Sequence, residues 1–176
     1  PKHAPRIAYL LGQFSQELKD WDEAIASYEI IVRDFSAHAL AADAQYKLGQ
    51  CYEDEGRLDE ALESYVTMAA TYPDNPLIAN VMIRINDHFY QKEEFAVAAQ
   101  VASKFLDRFA NHQWAPKMAF RVGQCYYKDE QFAEGGQAFD AFVKRFPDDE
   151  LAAQSLFWAG ESFRMANNVP EAFRRY

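Results

Sequence analysis

Apolar residues along the chain step by three and four, the spacing that keeps one face of an α-helix apolar. Ala44, Leu48, Cys51 and Tyr52 follow this rhythm, which breaks at Gly56 and resumes as Leu58, Ala61, Leu62, Tyr65, Met68 and Ala69. The pattern then recurs with a period of 37 residues, as from Gly12 to Gly49. Gly12, Gly49, Gly123 and Gly160 share one register, with Asn86 in the middle slot. Ala24, Ala61, Ala98, Gly135 and Ala172 form a second column. Tyr28, Tyr65, Phe139 and Tyr176 form a third, interrupted by Ala102. Phe35, Tyr72, Phe109 and Phe146 form a fourth, and Trp21, Leu58, Phe95, Phe132 and Val169 a fifth. Leu40, Leu77, Trp114 and Leu151 close each unit. A fixed period of this size marks a stack of helical repeats.

Each unit reads as two helices of about 14 residues, the length its apolar run supports. First helices are predicted near residues 5–18, 41–55, 78–91, 115–129 and 152–166, and second helices near 21–35, 58–72, 94–109, 131–146 and 170–176. The punctuation agrees. Asp20 and Asn168 stand as N-caps with Glu23 and Glu171 three residues on, a capping-box arrangement. Pro5, Pro116 and Pro170 fit first turns, where the missing N–H costs little. Pro73, Pro76 and Pro147 fall in the connections after second helices, which they terminate. The expected organisation is one all-α array with repeats at about 4–40, 41–77, 78–114, 115–151 and 152–176, the last incomplete. With no initiating Met and a stop in mid-helix, the chain reads as a fragment whose open ends predict either more repeats in the full protein or end-to-end self-association.

The second unit carries Leu48-Gly49-x-x-Tyr52, Ala61-x-x-x-Tyr65 and Pro73, and the fourth carries Val122-Gly123-x-x-Tyr126, Gly135-x-x-x-Phe139 and Pro147. This resembles the tetratricopeptide signature of Leu-Gly-x-x-Tyr, Ala-x-x-x-Phe and a closing Pro. The aromatic-Pro end, longer connection and Ala-rich restart are similar to a bacterial envelope subgroup of BamD and YbgF type. The resemblance implies a right-handed α-solenoid of antiparallel helix pairs whose first helices line a concave groove. It implies an interaction scaffold for a protein or peptide partner, in a periplasmic or other cell-envelope setting. The alternative is a non-catalytic arm of a larger envelope assembly or enzyme. The third unit departs from the signature, with Asn86 for Gly, Ala102 for the aromatic and Ala110 for Pro, and Phe105 is the residue placed to fill the volume lost at Ala102.

The resemblance also names groove residues, those flanking the glycine column. They are Tyr9 and Gln13 in the first unit, and Asp43, Tyr46, Gln50, Glu53 and Asp54 in the second. Asp87 and Tyr90 follow in the third, Lys117, Phe120, Gln124, Tyr127 and Lys128 in the fourth, and Phe157 and Arg164 in the fifth. Tyr9, Tyr46, Phe120 and Phe157 make a periodic aromatic row, which either contacts a partner or packs between repeats. The charge along these positions runs from acidic to mixed-to-basic beyond Lys117, which suits a partner with basic and apolar residues near the second unit. The family's carboxylate clamp is not expected, because Tyr9 and Tyr46 fill its first Lys slot and Gln13 and Gln50 its Asn slot.

Charge and chemistry narrow the reading further. The formal net charge is −9, which opposes binding to nucleic acid or anionic lipid. No apolar run reaches the roughly 20 residues a membrane span needs. Cys51 and Cys125 each sit in Gly-Gln-Cys-Tyr, and that recurrence makes them packing positions rather than nucleophiles. None of His3, His38, His88 and His112 has a partner at metal-ligand spacing, so no metal, cofactor or catalytic site is expected. Gly136 stands where other units carry Ile25, Leu62 and Ala99, and the pattern offers no reason for it.

Overall fold

The computed structural model describes residues 3–175; Tyr176 of the third column and the end of the last predicted helix lie outside them. Among the described residues are ten α-helices and no strand. They are α1 (Ala4–Glu17), α2 (Trp21–Asp34), α3 (Ala41–Asp54), α4 (Leu58–Thr71), α5 (Ile78–Gln91), α6 (Phe95–Arg108), α7 (Ala115–Lys128), α8 (Phe132–Arg145), α9 (Ala152–Met165) and α10 (Val169–Phe173). Asp20 and Asn168 cap α2 and α10 by accepting from the backbone N–H of Glu23 and Glu171, at 3.4 Å each. Contacts divide the chain into two compact units between Ile85 and Asn86, inside α5.

In the first unit α1 packs on α2, α2 on α3 and α3 on α4. Tyr28, Ile31, Cys51, Tyr65 and Met68 form its fully buried centre with Ile78 and Val81 of α5. The glycines have a steric reason. A Cβ on Gly12 would stand 2.8 Å from the Tyr28 ring, and one on Gly49 would stand 2.5 Å from Tyr65. The first helix thus loses its side chain so that the second can lay an aromatic against it. The Tyr28 hydroxyl then donates to Gln16 and the Tyr65 hydroxyl to Glu53, at 3.3 and 2.8 Å. Burying each ring contributes about 2–3 kcal/mol.

In the second unit α6 packs on α7, α7 on α8, α8 on α9 and α9 on α10. Gly123 repeats the glycine device beneath Phe139, its Cβ site 2.7 Å from the ring. Asn86 stands in the glycine register instead, fully buried, and its side chain donates to the Ala98 carbonyl at 2.7 Å. Phe105 is fully buried, with Phe109 and His112 against it at centroid distances of 5.2 and 5.6 Å. Gly136 also acquires its reason here. A Cβ there would meet the Phe163 ring of α9 at 2.8 Å, so α8 gives up a side chain to admit a large one from the next helix.

The turns use two devices that the pattern did not foretell. Lys19, Gly56, Glu93, Glu130 and Asn167, each between a first and a second helix, all adopt left-handed backbone, with φ between 57 and 83°. The chain reverses in three residues this way. In the longer connections, side chains of His38, Asn75, His112 and Asp149 accept from the N–H two residues on, at 3.2, 2.8, 3.3 and 2.9 Å. This gives His38 and His112 a structural task as turn formers.

Candidate functional site

The predicted groove residues fall on α1, α3, α5, α7 and α9, but they do not share one environment. In the first unit, Tyr9 and Tyr46 are half-buried and pack on Tyr28 and Tyr65, each at 5.8 Å between ring centroids. The aromatic row therefore packs within each helix pair. Burial, and secondarily the Asp43 carboxylate, raises the Tyr9 phenol above its ordinary range. Glu53 is committed inside the protein, accepting from Tyr65 and pairing with Arg84 at 3.4 Å. Arg84 also hydrogen-bonds Tyr46. Gln13 and Gln50 are half-buried and Asp54 is exposed; the Gln50 Oε1 is buried and accepts no bond among the described residues.

In the second unit the residues come together more closely. Tyr90 from α5, Gln124, Tyr127 and Lys128 from α7, Phe139 from α8 and Trp158 from α9 surround one cavity of about 100 Å³. Tyr127 lies edge-on between Phe132 and Trp158, at 5.4 and 5.0 Å. Tyr90 is held by Phe95 at 5.4 Å and by the Arg121 guanidinium, 3.9 Å above its ring. Arg121 in turn pairs with Asp87 at 3.1 Å. A wider cleft of about 520 Å³ borders this region, lined by Trp114, Lys117, Phe120, Arg121, Gln124 and Glu150 among others. The Lys117 ammonium sits 4.6 Å above the Trp114 ring.

Phe120 takes the packing side of the two roles open to the aromatic row. It is only 6% exposed and packs on Phe139 and Phe142, at 5.3 and 6.1 Å. With no hydroxyl to hydrate, its ring serves the core and shows the cleft no more than an edge. Phe157 is the exposed member of the row, at 51%. The charge gradient is weaker than the sequence suggests, because Arg84 and Arg121 neutralise Glu53 and Asp87. Both arginines escaped the sequence reading, since their column also holds Leu10, Lys47 and Trp158. At the far end Arg164 pairs with Glu161 at 2.6 Å.

The helix pairs with small-for-large packing at Gly12, Gly49 and Gly123 bear on the chain's ancestry. The tetratricopeptide repeat model matches residues 9–76, 87–150 and 126–176. The chain belongs to the tetratricopeptide-repeat family. Solved structures of tetratricopeptide architecture resemble it along nearly its whole length. A crystal structure of MamA protein superposes with a TM-score of 0.71 at 16% identity, covering 99% of this chain and 89% of that one. MamA of AMB-1 gives 0.71 at 18% identity, with the same coverage. MamA from Desulfovibrio magneticus RS-1, from residue 41 to its end, gives 0.68 at 13% identity, covering 98% and 90%. At these identities the likeness establishes the fold: an all-α tetratricopeptide solenoid. No curated protein sequence matches the chain.

Membership in this family points to protein partners and to scaffolding rather than catalysis. The two thiols fit that reading. Cys51 and Cys125 are free and buried, and burial pushes them up to about 11 and about 12, far from the thiolate a nucleophile needs. Among the described residues no group of His, Cys, Asp and Glu gathers as a metal ion would require. No described helix is long and apolar enough to cross a membrane.

Proposed function

We propose that the chain is a protein-interaction scaffold that holds a peptide or protein segment against its first helices, along the concave groove that the family resemblance implies. The observation that carries this reading is the convergence of Tyr90, Gln124, Tyr127 and Lys128 with Trp158 around one cavity. Side chains from three successive first helices meet there, and aromatic walls with a few polar groups at the rim are what binding sites for peptides are made of. The proposed contact set keeps Tyr9, Gln13, Asp43, Tyr46, Gln50, Asp54, Lys117, Phe157 and Arg164 as flanking residues and gives Phe120 a supporting place beneath them.

The repeat boundaries at about 4–40, 41–77, 78–114, 115–151 and 152–176 belong to the same reading, supported by first helices that begin at Ala4, Ala41, Ile78, Ala115 and Ala152. So does an envelope or periplasmic setting, supported by the aromatic-Pro ends and long connections. End-to-end self-association is supported by the open stripe of Ile7, Leu10 and Phe14 on α1 with Leu18 at its C-cap, each at least 56% exposed, and by Phe173 at 77%. Light scattering over a hundredfold range of concentration tests it: a rising mass is expected, and an unchanging monomer would refute it.

Affinity capture from the source organism's lysate tests the main reading. The comparison is between the native chain and a Tyr46→Ala, Gln124→Ala variant of verified helicity; Phe120→Ala is unsuitable because emptying that core site costs about 3–5 kcal/mol. A partner held by the native chain and lost by the variant is expected. Equal capture by both would move the binding surface away from the first helices.

A further inference from the structure

The cavity among Tyr90, Tyr127, Phe139 and Trp158 has a chemistry that selects its occupant. Its floor is Phe139, 1% exposed, and its walls are ring faces and edges from three other helices. About 100 Å³ is roughly the volume of three waters, enough for one aliphatic side chain. The walls pack on neighbouring rings. Tyr127 is fixed between Phe132 and Trp158, and Tyr90 is clamped by Phe95 and Arg121.

The rim supplies the charge. Arg121 is already spent on Asp87 and Tyr90, and Asp129 is turned to Gln131. Lys128 lines the cavity, is exposed, and makes no ion pair among the described residues. Gln124 adds an amide at the same mouth, able to donate to and accept from a peptide backbone. In a chain of net charge −9, an uncompensated cation beside an apolar socket is a local reversal of sign.

We propose that this socket takes one aliphatic side chain, Leu, Ile or Met, from a partner segment that carries Asp or Glu next to it, the carboxylate lying against Lys128. This rests on the scaffold reading and adds the specificity of its second unit. It differs from a carboxylate clamp, because the anchor is the buried aliphatic group and the acid is a side chain within the segment.

Selection of a random twelve-residue peptide library against the native chain tests it, with Lys128→Glu and Gln124→Phe run in parallel. Lys128 is exposed and its substitution leaves the core intact; circular dichroism verifies both variants. The expected consensus is an aliphatic residue with Asp or Glu within two positions. Lys128→Glu is expected to exchange the acid for Lys or Arg, and Gln124→Phe, which plugs the mouth, to weaken selected peptides about tenfold or more, as loss of one buried aliphatic group does. A consensus indifferent to both variants overturns the socket while leaving the scaffold reading standing. A chain that selects no peptide and captures no protein partner overturns both.

Discussion

At the scale of single residues, packing explains the glycines and burial explains the thiols. Gly136→Ala adds one carbon against the Phe163 ring at 2.8 Å. Overpacking of this kind costs about 1–3 kcal/mol, against a helix-propensity gain of about 1 kcal/mol. Urea denaturation is expected to show a net loss of up to about 2 kcal/mol, and the added change Phe163→Leu to recover part of it. A net gain of about 1 kcal/mol for Gly136→Ala would mean that α8 and α9 can separate at no cost, leaving only the helix propensity. Cys51 and Cys125 carry a pH signature. Their ordinary value is 9.0, and burial raises them to about 11 and about 12. A raised acid is neutral in the folded state and ionises first in the unfolded one, so its contribution is complete below about pH 9 and is lost between 9 and 12. Melting temperature is expected to fall through that window, less steeply in Cys51→Ala, and neither thiol to react with a disulfide reagent at pH 8 until denaturant is added.

At the scale of elements, the helices were legible and the turns were not. A 3.6-residue period persists through 14-residue helices, and Pro5, Asp20, Pro116 and Asn168 mark where they start. The left-handed turn residues share a conformation but no chemistry: Lys19, Glu93, Glu130 and Asn167 stand with Gly56, so only Gly56 betrayed the device. That mismatch is testable. A non-glycine residue in this region costs about 1 kcal/mol, so Glu130→Gly is expected to stabilise the chain by about 0.5–1 kcal/mol. Gly56→Ala, with open space around its Cβ site, should destabilise by a similar amount through backbone alone. Opposite signs from calorimetry would remove the conformational account. The third repeat was legible as a departure but not as a solution. Asn86 is tied to the Ala98 carbonyl in place of the glycine, and Phe105 is buried as its register suggested.

At the scale of the whole molecule, the family and the fold were readable from repeat columns, while the site was readable only in part. Sequence register places residues on the first helices but does not say how deep each ring sits. Tyr9 and Tyr46 are half-buried, whereas Phe120 is buried in the core. Nor does register reveal which charges neutralise one another, because the pairs Arg84 with Glu53 and Arg121 with Asp87 join separate helices. What remains after that pairing is an aromatic socket with a free Lys128 at its mouth, in a protein whose family works by contact. The central claim is that partners bind along the first helices. Photo-crosslinking tests it most directly, with benzoylphenylalanine placed singly at Gln50, Lys117 and Lys128 on first helices and at Ile30, Lys104 and Lys144 on second helices. The account predicts adducts with the captured partner from the first three positions and none from the others. Adducts from Ile30, Lys104 or Lys144 alone would contradict it and move the interface to the second helices.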